Sequence, residues 1–124
     1  MNIKKKSRHI RLSENALLLV ASRFKMLGDP MRLSILQCLM DGEKSVGEIQ
    51  GSVESSQPNV SKHLRFMVHG GLLSRRKSGV TVYYSILDET VYDLCETVCR
   101  GLRKELENQV KRLSRKRQKP LKRK

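Results

Sequence analysis

Between Ser45 and Ile86 the spacing of apolar residues changes period, and that change limits the folds open to this chain. Val46, Ile49 and Val53 fall on one face of a helix over Ser45–Val53. Glu54-Ser55-Ser56 makes a turn, and the Ser56 hydroxyl can cap the next helix. That helix opens Gln57-Pro58, where proline is tolerated because a first-turn N–H has no intrahelical partner. Val60, Leu64 and Met67 repeat at helical spacing, Lys62, Arg65 and His69 point away from them, and Gly70-Gly71 stops the helix. The period then drops to two. Leu72–Arg76 and Val80–Ile86 read as strands joined at Lys77-Ser78-Gly79, with Val80, Val82, Tyr84 and Ile86 alternating against Thr81, Tyr83 and Ser85. Two short helices across a tight turn, followed by a hairpin tipped with Arg75-Arg76-Lys77, form a winged helix. That arrangement sets one helix in a DNA major groove and a basic hairpin beside it.

The flanking segments complete the pattern. Ser13-Glu14 can start a first helix, in which Ala16, Leu17, Leu19, Val20, Phe24 and Leu27 are apolar over more than one stripe. Gly28-Asp29-Pro30 breaks the chain before a second helix over Met31–Met40, with Leu33, Ile35, Leu36 and Leu39 expected to face inward; Asp41-Gly42 ends it. After Asp88 a last helix carries Val91, Leu94, Cys95, Val98, Leu102, Leu106, Val110 and Leu113 as a stripe longer than a small core can cover. The expected fold is mainly α: four helices, a two-stranded wing and a last helix. The surplus apolar surface of the first and last helices predicts a homodimer built from them.

Charge is distributed unevenly. The net charge of +14 arises from 26 basic and 12 acidic residues, but fourteen of the basic ones lie in 1–11 and 111–124, which hold no Asp or Glu. The middle is neutral. This divides the chain into a basic disordered arm over 1–11, one domain over 12–112 and a basic disordered tail over 113–124. Arms of this density attract phosphates without regard to sequence. Neither arm has an apolar face for a membrane surface, and the longest apolar run, Ala16–Ala21, is far short of the ~20 residues that cross a bilayer. Three cysteines are too few for a disulfide scaffold and fit a reducing cytoplasm. No nucleophile–base–acid set, phosphate-binding glycine loop or paired metal carboxylates stand out, so an enzyme is not expected.

The motifs of these segments resemble a known family. Phe24-Lys25-Met26-Leu27-Gly28-Asp29-Pro30-Met31-Arg32-Leu33-Ser34-Ile35-Leu36, Ser45-Val46-Gly47-Glu48-Ile49 and Ser56-Gln57-Pro58-Asn59-Val60-Ser61-Lys62-His63-Leu64 are similar to the helices of ArsR/SmtB-type bacterial repressors. Gly71–Gly79 and Val82–Ile86 resemble the wing. The likeness runs over about residues 14–106. It implies a cytoplasmic homodimer that represses a double-stranded DNA operator and often releases it on meeting a metal ion, a metalloid or a sulfur oxidant. One metal site of that family uses two cysteines near the start of the third helix, where this chain has Ser45-Val46-Gly47-Glu48. Another uses Asp, His and Glu on the last helix, where this chain has Asp93, Glu96, Glu105 and Glu107 but no histidine. Neither ligand set is complete.

Thiol chemistry remains open. Cys95 and Cys99 are four apart on the last helix and share a face; with Cys38, or a cysteine of a second protomer, they can hold arsenite or a soft metal ion, or respond to a persulfide or oxidant. A disulfide between i and i+4 of an intact helix has poor geometry. The alternative is that the cysteines only pack. For DNA, Ser56, Gln57, Asn59, Ser61 and Lys62 are placed for base edges and flanking phosphates, with His63 as a packing or phosphate contact. Arg65, Arg75, Arg76 and Lys77 are placed to hold phosphates or reach the minor groove. The rival from another class is an architectural nucleic-acid-binding protein driven by its arms, which would bind with little sequence preference.

Overall fold

The computed structural model describes residues 11–123, with side chains described through 114. The arm over 1–10 lies outside the described residues. In chain order the elements are α1 (Glu14–Leu27), α2 (Pro30–Leu39), β1 (Lys44–Ser45), α3 (Val46–Ser52), α4 (Gln57–His69), β2 (Leu73–Ser78), β3 (Thr81–Ile86) and α5 (Thr90–Arg123). Residues up to Leu87 form one compact unit and those from Asp88 a second.

Side-chain caps set the helix starts. Ser13 Oγ accepts from the Ala16 N–H at 3.1 Å, and Asp29 Oδ2 accepts from the Arg32 N–H at 3.0 Å. Ser45 and Glu48 form a reciprocal capping box: Ser45 Oγ accepts from the Glu48 N–H, and Glu48 Oε1 accepts from the Ser45 N–H at 2.8 Å. The apolar faces converge on one core. Ile35, Leu36 and Leu39 of α2, Ile49 of α3, Val60, Leu64 and Met67 of α4, and Leu72 and Leu73 are all fully buried. Leu33 departs from expectation: it is 41% exposed, because the α2 face that packs against α3, α4 and β3 is the one carrying Ile35, Leu36 and Leu39.

The sheet has three antiparallel strands in the order β1-β3-β2. The sequence pattern showed two. The third is the two-residue strand Lys44–Ser45, paired with Tyr84 and Tyr83. The hairpin is also tighter than expected: Ser78 pairs with Thr81, so Lys77 and Ser78 belong to the strand and the turn is Gly79-Val80. Gly79 has φ +64°, a conformation that two-residue hairpin turns need and that glycine adopts without penalty.

In the second unit, the Asp88 carboxylate accepts from the Thr90 N–H at 3.0 Å at the start of α5. The helix continues through Arg123, so residues 113–123, expected as a disordered tail, extend it. Val98, Leu102, Leu106, Val110 and Leu113 are all exposed along it. Their average spacing is close to the 3.6 residues of an α-helical turn, so the stripe runs nearly straight along the helix.

Candidate nucleic-acid interface

The α3–turn–α4 element is held by its own polar residues. Gln50 Nε2 donates to the Ser55 carbonyl at 2.5 Å, and Asn59 Nδ2 donates to Ser55 Oγ at 2.7 Å. Ser56 Oγ accepts from the Asn59 N–H at 3.3 Å as the α4 cap. With Val60, Leu64 and Met67 buried, the opposite side of α4 is left to Gln57, Lys62, Arg65 and His69, all exposed. Ser61, half-buried, lies between the exposed Gln57 and Arg65 at i+4 spacing and continues their polar row at its edge. The first turn therefore presents a bidentate amide, and two cations follow it, which is the chemistry of base-edge and phosphate contact.

One of the expected contact residues is turned elsewhere, and of the two roles open to His63, packing or phosphate contact, the structure shows packing. Asn59 is half-buried and spends an amide proton on Ser55. His63 is not on the exposed row: its side chain is 12% exposed, with Nδ1 3.3 Å from the Arg32 guanidinium and Nε2 4.0 Å from Asp29 Oδ2. Burial pulls the His63 pKa below its ordinary value; Asp29 opposes this, and Arg32 and Lys62 reinforce it. His63 is thus an internal partner of the α2 N-terminus.

The wing divides its three cations. Arg76 donates two hydrogen bonds to the Glu43 carboxylate, at 2.9 and 2.8 Å, and stacks over Tyr83 with its guanidinium carbon 4.7 Å from the ring centroid. The pairing holds the Glu43 carboxyl below its usual range and raises the Arg76 pKa. Glu43 therefore balances the charge of Arg76, and the pair ties β2 to the chain just before β1. Arg75 and Lys77 are exposed, and strand alternation puts them on the other face from Arg76. They are the wing cations without an acidic hydrogen-bond partner among the described residues.

Cys38 and Cys95 are half-buried and Cys99 is exposed; all three are free thiols. Burial, and then the neighbouring Cys99, push the Cys95 pKa up. Among the described residues no three His, Cys, Asp or Glu side chains cluster to hold a metal ion. The start of α3 is occupied by the capping box and contains no sulfur, so the two-cysteine metal site of the resembled family does not fit there.

Sequence reasoning missed Arg32, Asp29 and Glu43 as parts of this framework. Asp29 three residues before Arg32 is a capping pattern visible in the sequence, whereas the Arg32–His63 and Arg76–Glu43 pairs are 31 and 33 residues apart and leave no local signal.

This fold, with Gln57, Lys62 and Arg65 exposed on the second helix of the motif and a cationic wing, is a winged helix-turn-helix. The chain belongs to the arsR family of bacterial regulatory proteins, whose family model matches residues 29–75. An HTH-type transcriptional regulator of Mycobacterium tuberculosis, MT0088, is 33% identical over 101 residues, covering 79% of this chain and 87% of that protein. A CadC-homologous cadmium resistance regulatory protein of Staphylococcus aureus is 41% identical over 78 residues, 62% of this chain and 64% of that protein, a little under two thirds of its length. Among solved structures, the homodimeric winged helix-turn-helix DNA-binding domain Mb0332 from Mycobacterium bovis matches with a TM-score of 0.68 at 32% identity. It covers 81% of this chain and 95% of that domain. No helix among the described residues is long and apolar enough to cross a membrane.

Proposed function

We propose that this chain is a cytoplasmic repressor that binds a double-stranded DNA operator as a homodimer and regulates rather than catalyses. The observation that carries the reading is the exposure of Gln57, Lys62 and Arg65 on α4, over a fully buried Val60, Leu64 and Met67. Arg75 and Lys77 of the wing flank it with positive charge. Dimerisation is supported by exposed apolar surface on two helices: Leu17, Leu18, Leu19, Val20 and Phe24 on α1, and the Val98–Leu113 stripe on α5. The Mycobacterium bovis domain is homodimeric. The basic ends add salt-dependent affinity.

The inducer we assign to this repressor is arsenite, a soft metal ion or a persulfide-type oxidant acting at Cys95 and Cys99, with Cys38 as a further thiol. Support comes from chemistry. Two cysteines one turn apart face the same way; burial first and then the neighbouring Cys99 raise the Cys95 pKa, and a cation or an arsenic(III) centre that replaces the two protons offsets the charge that both would otherwise carry. The Staphylococcus aureus relative is a cadmium resistance regulator, and cadmium is a thiophilic ion. The test is genome-wide footprinting of the wild type and of the Cys38, Cys95 and Cys99 serine variants, with and without arsenite, cadmium and persulfide. Discrete footprints support the repressor, and their loss on treatment of wild type but not of the variants supports the thiol sensor. Diffuse occupancy refutes the first, and footprints unmoved by every agent refute the second.

A further inference from the structure

Arg32 lies in the first turn of α2, yet its side chain works on two other helices. The last carbonyls of a helix lack intrahelical donors and form the negative end of its dipole. At the end of α1, Arg32 Nε donates to the Met26 carbonyl at 2.6 Å, and one terminal nitrogen donates to the Lys25 carbonyl at 3.2 Å. The other terminal nitrogen is 3.3 Å from His63 Nδ1, and the guanidinium carbon sits 4.6 Å from the centre of the Phe66 ring. His63 and Phe66 are neighbours at i and i+3 on α4. Because Arg32 can only donate, Nδ1 must be the unprotonated nitrogen, which leaves the Nε2 hydrogen on the side of Asp29.

A second grip lies further along the same pair of helices. Arg23 of α1 donates to the Gly70 carbonyl at 3.3 Å, at the C-cap of α4. Seven residues separate His63 from Gly70, about 10 Å along the helix at 1.5 Å per residue. Held at two points that far apart, α4 resists turning relative to α1.

We infer that Arg32 is the positioning residue of the recognition helix, clamping α4 to the C-terminal end of α1 so that a movement of α1 is passed to the base-reading row. The consequence for DNA rests on the proposed function; the clamp itself does not. A planar fork is required, since one group must meet two carbonyls, an imidazole nitrogen and a ring face. Lysine, a point charge with a single nitrogen, cannot do this.

The test uses the full chain with R32A, R32K and F66L. Hydrogen exchange of the free protein is compared between α4 and the β2–β3 hairpin, and affinity is measured for a duplex that the wild type selects from a random pool and for its shuffled counterpart. Both Arg32 variants should speed exchange in α4 and the last turn of α1 by about tenfold or more, equal to 1.4 kcal/mol of local opening, with the hairpin unchanged. F66L should do so to a smaller degree. The ratio of selected to shuffled affinity should fall by a similar factor. Equal acceleration in the hairpin would make Arg32 a general stabiliser, and full rescue by R32K would show that charge alone suffices; either overturns the clamp. If R32A does not fold, R32K and F66L still decide. If the wild type selects no sequence, the repressor reading fails while the exchange comparison still judges Arg32.

Discussion

Gly70 offers a severe test of how closely α1 and α4 are fitted. Its φ is −84°, so alanine there meets no backbone penalty. A Cβ would, however, lie 1.9 Å from Met26 Cε, 2.8 Å from Met26 Sδ and 3.3 Å from the Phe66 carbonyl oxygen. Carbon contacts settle near ~3.5–4.0 Å, so the Met26 methyl must retreat by about 1.5–2 Å. Met26 is 5% exposed, which leaves it little solvent to retreat into. Overpacking of this kind costs about 1–3 kcal/mol, and the flexibility of methionine favours the lower half of that range. Against it stands the smaller entropy of the unfolded chain when glycine becomes alanine, worth about 0.4–1 kcal/mol. The difference leaves Gly70→Ala destabilising by roughly 0–1.6 kcal/mol in urea unfolding. The decisive assay is the double-variant cycle with Met26→Leu, which removes the clashing methyl. The pair should be less destabilising than the sum of the singles by about 1 kcal/mol. Additivity within ~0.3 kcal/mol would show that the two residues do not press on each other and would refute the packing argument.

Leu102→Asp should turn a dimer into a monomer that binds DNA poorly, because it puts an unpaired charge on an apolar face that the dimer buries; sedimentation velocity reads the state, and a wild type already monomeric at micromolar concentration contradicts the interface. Deleting 1–10 and 115–124 should flatten the dependence of log K on log salt, by roughly 0.9 for each phosphate no longer neutralised, while sparing sequence preference; an unchanged slope assigns these ends to solubility. His63 gives a pH signature: burial favours its neutral form when folded, whereas the unfolded chain takes up the proton near 6.5. Stability should therefore be level above pH 6.5, fall as pH drops below it, and level again once the folded form protonates. His63→Gln should remove that step in urea midpoints between about pH 8 and 5. It should spare the later loss below pH 3.8 due to Asp29, whose pKa is lowered chiefly by the Arg32 backbone N–H. A step that persists in the variant belongs to another group.

Much of the fold was legible because its boundaries are written in side chains with one structural meaning. Ser13 and Ser56 cap helices through hydroxyls, and Gly70-Gly71 ends α4, with Gly71 at φ +83°. The wing was legible as alternation, yet its length was not. Lys77 and Ser78 resemble turn residues, and only the pairing of Ser78 with Thr81 shows the strand passing through them. A strand of two residues, Lys44–Ser45, is too short for any period. In the candidate site, the exposed row of α4 followed from helical spacing. The packing role open to His63 followed from the same spacing, but its partner Arg32 and the capture of Arg76 by Glu43 rest on residues 31 and 33 positions away, which no local pattern encodes. Leu33 shows the same limit in the core: a short helix rich in leucine has more apolar positions than its buried face can accept.

The central claim is that α4 reads sequence. It is tested most directly by measuring, at physiological salt, the affinity of the full chain and of Gln57→Ala for the duplex the wild type selects and for a shuffled duplex of equal length. The account predicts that the wild type prefers the selected duplex by about 10³-fold or more, and that Gln57→Ala loses about 1–3 kcal/mol on it with little change on the shuffled one. Equal affinity for the two duplexes, or equal losses on both when Gln57 is replaced, would contradict a sequence-reading helix and leave a protein bound to DNA through its basic ends.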